Sequence, residues 1–477
     1  MSQTRAVSRR GTRLAASVRS GPLGIPAFRL LTAGQFTSTI GDFCYAVALP
    51  WLVLSNHGSA AQLGVVLACY GIPRAVLTVP GGSLADRFGP RRVMLGSDAV
   101  RCALTAVFAV LAASHVSSLA ALAPVAAVLG ACAALFLPAS AALMPTLVDA
   151  ERLPTANAVY TGSLQFGMLF GPVIGGVLVA ATGTTAAFGV DSASYAVSAA
   201  SLALMAATGR RRSPAGESAG LAPAPGPAPG LAPGSAGAGA AGAGAAGAGS
   251  AGAGAAGAGI ASAAGDPTSV WVLLRQARLL QLILAVSLTA NFALIGTTEV
   301  ALPSLAHARF GADGYGAVLT CLAVGSLAGT LVVARVGRRI RPAALLSGAF
   351  FVAAIAIALA PFLGGLPGLA GAILVFGVAL GIDNVLSITV LQQWAPPAML
   401  GRVMGLIMVA AAASFPLSTA LAGLLTRHLG PAPLFPLTGA LLGATILGAL
   451  SQREFRAFGV TLAPDTPEGL TPDPAAS

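Results

Sequence analysis

Long apolar runs recur along almost the whole chain, and each has about the length that a membrane-spanning helix needs. A helix crosses the hydrocarbon core of a bilayer with about 20 predominantly apolar residues. The pattern predicts an all-α membrane protein with twelve transmembrane helices in two groups of six. We place the spans at residues 30–54, 62–83, 93–113, 118–143, 156–181, 185–207, 279–303, 315–336, 342–362, 367–393, 402–426 and 433–451.

The two groups of six are separated by a stretch of very simple composition. Residues 213–265 consist almost entirely of Ala, Gly, Pro and Ser. Such a composition cannot bury a core and is typical of a flexible linker. The sequence therefore predicts five parts: a basic cytoplasmic tail at 1–29, a six-helix bundle at 30–208, a linker at 209–275, a second six-helix bundle at 276–452 and a tail at 453–477.

The distribution of basic residues predicts an orientation. All 26 basic residues are Arg. With the N-terminus inside, 22 of them fall in inner segments, whereas only Arg309 and Arg427 fall in outer loops. Because positively charged loops stay on the cytoplasmic side, we expect a multi-pass protein of the cell membrane. Both termini and the linker are expected in the cytoplasm.

Composition agrees with a lipid environment and excludes several classes of function. Charged residues make up 9% of the chain, against about 25% in soluble proteins. The net charge of +11 is carried in short clusters between apolar runs, so we expect a lipid bilayer as a partner and no nucleic acid. Since the chain has no Lys, it cannot form a phosphate-binding loop of the GxxxxGK type. No catalytic triad or metal-ligand spacing stands out, and we expect no enzyme activity, no cofactor and no metal site.

The loop between spans 2 and 3 carries the most distinctive motif, GGSLADRFGPRR at residues 81–92. Its glycines permit a tight turn and close helix approach, and an acidic side chain beside arginines can lock helix ends by charge-assisted hydrogen bonds. An ordinary basic inner loop is the alternative. A related stretch after span 8 has Ala334 at the acidic position. We interpret the first copy as a conformational latch formed by Gly82, Asp86, Arg87, Gly89, Arg91 and Arg92.

A second motif lies in span 5, where Gly167, Gly171, Pro172, Gly175 and Gly176 recur at helical spacing. Small residues at this spacing allow helices to pack closely, and a proline bends a helix. Generic packing of small residues within a membrane is the alternative interpretation.

These motifs resemble those of the major facilitator superfamily. The loop motif is similar to the signature between helices 2 and 3 of that family, and the motif in span 5 resembles the antiporter motif of its drug-exporting members. GDFCYAVALPWLV in span 1 and PPAMLGRVMGL at the start of span 11 look like the drug and siderophore exporter branch, which contains the enterobactin exporter and macrolide efflux pumps. The resemblance implies the major facilitator fold, with a latch that holds the two halves together in the outward-open state. The chain departs from the family in span 4, which carries no Arg.

Charged side chains within spans are candidates for function because charge is costly in a bilayer. Asp42 and Arg74 fall near the middle of spans 1 and 2. They can pair across neighbouring helices, and Asp42 is then the best candidate for reversible protonation. A purely structural ion pair is the alternative. Glu299, Asp383 and Asn384 are expected to line the same cavity from the second half.

Three further charges lie closer to the ends of their spans. Asp98 and Arg101 are near the inner end of span 3, and Asp191 is near the outer end of span 6. We interpret these positions as interfacial or related to the latch.

The sequence predicts a secondary transporter that exports a small amphipathic molecule, such as a drug, an antibiotic or a siderophore-like metabolite. The expected mechanism is proton antiport, with two six-helix bundles that give alternating access to a site near the midplane. A proton-coupled uptake symporter and a non-transporting scaffold or sensor on the same fold are the alternatives. The expected partners are the lipid bilayer, the small-molecule substrate and protons, and we expect a monomer.

The distribution of Arg generates a prediction about topology. A fluorescent reporter that folds only in the cytoplasm should give signal when fused after Ser213 or after Ser451. The same reporter inserted at His115, in a predicted outer loop, serves as the opposite control and should be dark. A dark fusion after Ser213 would contradict the twelve-span orientation.

Overall fold

The computed structural model describes residues 21–56, 58–210, 278–336, 342–394 and 400–452. The predicted linker and C-terminal tail, most of the basic N-terminal tail and the arginines at 338, 339 and 341 lie outside these residues. Within them the chain is helical from end to end, with short turns. The helices of the first half are α1 (Pro26–Ser55), α2 (Ala60–Phe88), α3 (Pro90–Ala113), α4 (Leu119–Leu147) and the run Leu153–Arg210. Those of the second half include α8 (Gly311–Val336), α9 (Pro342–Leu359), α10 (Gly365–Trp394), α11 (Leu400–Leu429) and α12 (Leu434–Ser451).

The run Leu153–Arg210 contains two helices. Gly183 interrupts it with φ +83° and ψ 177°, a left-handed backbone region that glycine adopts without steric cost. We therefore describe α5 (residues 153–182) and α6 (residues 184–210). This turn matches the boundary that the hydrophobic pattern predicts between spans 5 and 6.

A continuous helical path also forms α7, which passes through a π-helical turn. Arg278–Gly296 leads into the turn Thr297–Ala301 and then into Leu302–Arg309. Pro303 explains the turn, because proline has no N–H for the carbonyl of Glu299 and its ring crowds that carbonyl. Single π turns within α-helices often mark functional positions, and Glu299 lies in this one.

The helices are long and apolar enough for a membrane. Nine stretches of the described chain meet both criteria, and one of them, Ala150–Met205, contains α5 and most of α6. Together the nine stretches cover ten of the twelve described helices, and α7 and α11 are the two that do not meet the criteria. The predicted all-α membrane architecture of two six-helix bundles is confirmed.

The two bundles pack in parallel ways. In the first half α2 packs on α4, and α3 packs on α4 and on the α5–α6 run; in the second half α8 packs on α10, and α9 on α10 and α12. Each of these helices in the second half thus has packing partners equivalent to those of the helix six places earlier in the chain. Such internal repetition is common in secondary transporters.

The halves meet at the end of the molecule that holds Gly183, which we call the outer end in the predicted orientation. There α2 packs on α11 and α5 packs on α8. A Cβ atom added to Gly176 would lie 2.9 Å from the Cα atom of Gly316, and one added to Gly64 would lie 3.0 Å from the Cα atom of Gly423. The backbones of the two halves therefore touch directly, because no side chain separates them.

Aromatic rings complete the contact at the outer end. Trp51 of α1 stacks on Tyr315 of α8, with centroids 5.6 Å apart, and meets the ring of His307 edge-on at 5.3 Å. Deeper in the molecule, Tyr70 of α2 meets Phe415 of α11 with centroids 6.4 Å apart.

Toward the opposite, inner end the surfaces of the first half are open. Gly82 has no atom within 4 Å of an added Cβ, and Asp86 is exposed. The two halves contact each other through glycines and aromatic rings. In the described residues these contacts extend from the outer end as far as the Tyr70–Phe415 pair. Among the described residues, the two halves therefore meet at the outer end, and their inner-end motif in the first half is exposed.

This packing generates a prediction for Gly316. A side chain there would overlap the Pro172 carbonyl and the Cα atom of Gly176, and such overpacking costs about 1–3 kcal/mol. Gly316→Leu should therefore shift the protein toward a form open at the outer end. In a background without the native cysteines, Ala312→Cys should react at least about fivefold faster with a membrane-impermeant maleimide when Gly316→Leu is present.

The matched control is Gly348→Leu, because an added Cβ at Gly348 meets nothing within 4 Å. This change should leave the reaction rate of the introduced cysteine unaltered. Equal rates in the Gly316→Leu and Gly348→Leu proteins would show that the Gly176–Gly316 contact does not close the outer end.

Candidate functional site

A stripe of polar residues on α6 faces the interior of the first half. Asp191, Ser194, Tyr195 and Ser198 recur at spacings of three and four residues and are all buried. Residues at these spacings share one helix face. The stripe packs on α1 and α3, and these two helices supply the partners of its side chains.

Arg101 and Asp98 of α3 form a buried ion pair within this region. The Nη1 atom of Arg101 lies 3.7 Å from Oδ1 of Asp98, and the Ser198 hydroxyl donates a hydrogen bond of 2.6 Å to Oδ2 of Asp98. The guanidinium also lies over the rings of Phe136 at 4.5 Å and Tyr195 at 5.4 Å. A buried charge is tolerated only with such compensation, so Arg101 is the cation that holds this region together.

Asp42 joins the same region from α1. The Tyr195 hydroxyl donates a hydrogen bond of 2.5 Å to Oδ1 of Asp42, and the guanidinium of Arg101 lies over that tyrosine ring. Asp42 lies close to the middle of α1 and keeps partial exposure, whereas Asp98 and Asp191 have none. It is therefore the member of the polar region that is open to exchange with its surroundings.

Asp191 is the least compensated member. Both of its carboxyl oxygens are buried without a hydrogen-bond partner among the described residues. Its Oδ1 atom lies against α1, since a Cβ atom added to Gly41 would come within 2.7 Å of it. We call Asp42, Asp98, Arg101, Asp191 and Tyr195 the buried charge cluster.

The structure places Asp98, Arg101 and Asp191 inside the first half, and their interpretation as interfacial or latch-related stays a prediction. The exposed fractions of the three residues are 0%, 7% and 0%, and their contacts are inside the first half. Helix α3 begins at Pro90, earlier than the predicted span at 93, so Asp98 and Arg101 lie deeper than expected. The signal that sequence reasoning missed is the polar stripe of α6.

Arg74 lies one turn inward of Tyr70 on α2, and Glu299 lies in the π turn of α7 in the second half. The Arg74 guanidinium lies 5.8 Å from the centroid of the Tyr70 ring, and the charges of Arg74, Asp42 and Glu299 all act on Tyr70. The π turn that holds Glu299 packs on α2. Residues of both halves thus meet near Tyr70, where the contact between the halves ends. Whether Asp42 pairs directly with Arg74 stays a prediction.

Asp383 and Asn384 of α10 lie elsewhere. Asp383 lines a small cavity with Leu294, Phe350, Leu442 and other apolar residues of α7, α9, α10 and α12, within the second half. Its Oδ1 atom accepts a hydrogen bond of 2.7 Å from Ser387, one turn further on. The Nδ2 atom of Asn384 is buried without a hydrogen-bond partner among the described residues. The structure does not bring these two residues to the group around Tyr70.

The glycines of the span 5 motif have two different neighbours. Gly167, Gly171 and Gly175 face α1, where added Cβ atoms would lie 2.9 Å from Thr39, 2.7 Å from Phe43 and 3.0 Å from Cys44. Pro172 and Gly176 instead face α8 of the second half. Helix α5 therefore connects the outer contact between the halves to the helix that carries Asp42.

The latch motif joins α2 to α3 at the inner end. Gly89 has φ +87° and connects the two helices. The Arg91 side chain donates hydrogen bonds of 2.6 Å and 3.3 Å to the carbonyls of Leu202 and Ala203 on α6. Arg87 and Arg92 are exposed beside Asp86, so they are available to a partner from the other half.

No metal-binding group is evident in the described ranges, where His, Cys, Asp and Glu do not come together in threes. The guanidinium of Arg101 inside the charge cluster also disfavours a cation there, because like charges repel. Proton chemistry is what the cluster can support.

Several curated proteins match part of the chain. The multidrug efflux pump Tap of Mycolicibacterium fortuitum is 33% identical over 176 residues, which are 35% of this chain and 41% of that protein. The enterobactin exporter EntS of Citrobacter koseri is 29% identical over 174 residues, 35% of this chain and 40% of that protein. The staphyloferrin A transporter of Staphylococcus aureus is 26% identical over 149 residues, 31% and 38% respectively. The match thus spans about two fifths of the length of these relatives.

Solved structures share the fold over most of the chain. A bacterial homologue of the iron transporter ferroportin, in an inward-facing state, superposes with a TM-score of 0.64 at 14% identity and covers 88% of this chain and 98% of that one. An auto-inhibited peptide transporter of the POT family gives 0.60 at 17% identity, with 89% and 97% covered. The sequence profile of the Major Facilitator Superfamily matches residues 31–412. With this match and the two-bundle fold, the chain belongs to the Major Facilitator Superfamily.

Proposed function

We propose that the protein exports a small amphipathic molecule in exchange for protons, by alternating access between its two bundles. The observation that carries the proposal is Asp42. Asp42 is mostly buried near the middle of α1, and its carboxyl group accepts a hydrogen bond from Tyr195 within a cluster of buried charges. Ionisable groups at such depth are costly and are usually kept for function.

The contact between the halves supports alternating access. At the outer end the halves touch through glycine backbones, a contact that separates without breaking an ion pair in the described residues that form it. At the inner end Asp86, Arg87 and Arg92 are exposed, ready to meet the second half when that end closes. Closing one end while the other opens exposes a central site to each side in turn.

Helix α5 links Asp42 to the contact between the halves at the outer end. Three of its glycines lie directly on α1 beside Asp42, and the same helix meets α8 through Gly176. Because Gly175 packs on the backbone of α1 and Gly167 and Gly171 pack on its side chains, a shift of α1 on protonation would be transmitted to α5. The outer contact then responds to the charge on Asp42.

The surroundings of Tyr70 support an amphipathic substrate. The Tyr70 and Phe415 rings meet between the halves, and the Arg74 guanidinium lies 5.8 Å from the Tyr70 centroid, so an opening at this point would expose aromatic surface beside a charge. Ligand pockets combine an apolar lining with a few polar groups that orient the ligand. The relatives include an exporter of a siderophore and a multidrug efflux pump, in agreement with such a compound.

The energy coupling is tested with a compound that the protein handles. A susceptibility screen in a bacterial host without its own pumps selects the compound to which the protein gives most resistance. In proteoliposomes, wild type should move this compound against its gradient when a pH gradient is imposed. Asp42→Asn should lower this uphill export to the level of protein-free vesicles, because it removes the carboxyl that binds the proton.

Equilibrium exchange of labelled for unlabelled compound across the membrane should survive in the Asp42→Asn protein, since it needs no net proton movement. The matched control is Asp313→Asn, an exposed acid at the start of α8, which should keep full uphill export. Full gradient-driven export by Asp42→Asn would exclude Asp42 as the obligatory proton carrier. Inward accumulation by wild type under the same gradient would instead establish uptake.

A further inference from the structure

We propose that Asp191 is the second carboxyl group of the coupling site, and that Asp42 and Asp191 together hold one proton when the outer end is closed. The inference rests on the proposed proton coupling for its role in transport. The protonation itself is argued from the packing of α1 on α6.

The position of Asp191 brings it to the side of Asp42. Its Oδ1 atom rests on Gly41, the residue before Asp42, where an added Cβ would lie only 2.7 Å away. Asp42 is the next residue on the same turn of α1, so both carboxyl groups belong to the packing of α1 on α6. The absence of a side chain at Gly41 lets the carboxyl of Asp191 approach the backbone of α1.

Asp191 has the weakest compensation for a negative charge in the cluster, because the neighbouring Ser194 hydroxyl donates to the backbone carbonyl of Asp191. Its carboxyl oxygens are buried and receive no donor from the described residues, whereas Asp42 receives the hydroxyl of Tyr195 and Asp98 that of Ser198. A buried carboxylate without donors is strongly disfavoured relative to the neutral acid. A neutral Asp191 has an O–H group that needs an acceptor, and the carboxylate of Asp42 is the acidic neighbour that can accept it.

The charge balance of the cluster leads to the same conclusion. Arg101 is one positive charge, and its ion pair with Asp98 uses it. Asp42 and Asp191 then remain as two carboxyl groups on the facing helices α1 and α6, with Asp191 packed on the residue before Asp42, and two such groups in one site do not readily ionise together. They bind one proton as a unit.

Other polar groups lie near the pair, and none of them supplies the hydrogen bond or the positive charge that the shared proton provides. From α1 these are Cys44 and Tyr45, from α2 Tyr70 and Arg74, and from α6 Tyr195. The Tyr45 hydroxyl is itself buried without a partner among the described residues. Arg74 is the further cation, and it acts on Asp42 less strongly than Arg101 does.

The shared proton has a path in and out through one member of the pair. Asp191 has 0% exposure, whereas Asp42 is partly exposed. The proton passes from an Oδ atom of Asp191 to an Oδ atom of Asp42, which then releases it to water. Asp191 thus acts as a buried store and Asp42 as the exchanging group.

Infrared spectroscopy of the purified full-length protein tests the shared proton without any substrate. A protonated carboxyl group has a C=O stretching band that is separate from the amide bands and that shifts in heavy water. The difference between wild type and Asp191→Asn at neutral pH should show the loss of one such band per chain. Asp313→Asn should show no loss, because that acid is exposed.

Tyr195→Phe keeps the test open if Asp191→Asn fails to fold. It removes the hydrogen bond to Asp42, so the band of the shared proton should shift in frequency and keep its area. Unchanged spectra in Asp191→Asn and in Tyr195→Phe would overturn the proposal.

The transport assay separates this proposal from the proposed function. If the band is lost in Asp191→Asn but wild type does not respond to a pH gradient, the shared proton stands and proton-coupled export is wrong. If wild type exports with the gradient and the band does not change in either variant, export stands and Asp191 is not part of the coupling site.

Discussion

Burial of charge inside the first half is the constraint on which the rest of the structure depends. Three carboxyl groups and one guanidinium lie between α1, α3 and α6, and the cost of removing several charges from water is large. The ion pair of Arg101 with Asp98, the hydrogen bonds from Ser198 and Tyr195 and the aromatic rings around the guanidinium offset that cost. The cluster therefore constrains the arrangement of the three helices, and under the proposed function a change in its protonation would change which arrangement is favoured.

Glycine makes the response of the rest of the molecule possible. Gly41 brings Asp191 against α1, three glycines bring α5 against the same helix, and Gly176 brings α5 against Gly316 of the other half. Such close contacts at glycines leave little free space to absorb a small displacement. The charge cluster and the outer contact are thus joined by a short series of rigid packing contacts that runs through α1 and α5.

Much of the fold was predictable from the sequence, because apolar runs and arginine positions follow directly from the thickness and polarity of a bilayer. The turn at Gly183 and the latch glycine at Gly89 could be located for the same reason. The cluster was only partly predictable: Asp42 stands out as a charge in an apolar run, and the stripe from Asp191 to Ser198 has helical spacing. The hydrogen bond between Asp42 and Tyr195 could not be predicted, because the two residues are 153 positions apart and hydropathy does not show which helices pack together. The depth of Asp98 and Arg101 was misjudged because the start of α3 was placed three residues late.

The central claim is that protonation of the cluster keeps the outer end closed, and a distance across that end tests it most directly. Spin labels at Ser114 in the first half and Leu363 in the second occupy exposed positions in outer turns, after the native cysteines are replaced. Electron–electron resonance should show a short distance at low pH and a growing population with a longer distance as the pH rises. In Asp42→Asn the short distance should persist at every pH. A pH-dependent opening in Asp42→Asn equal to that of wild type would contradict the account.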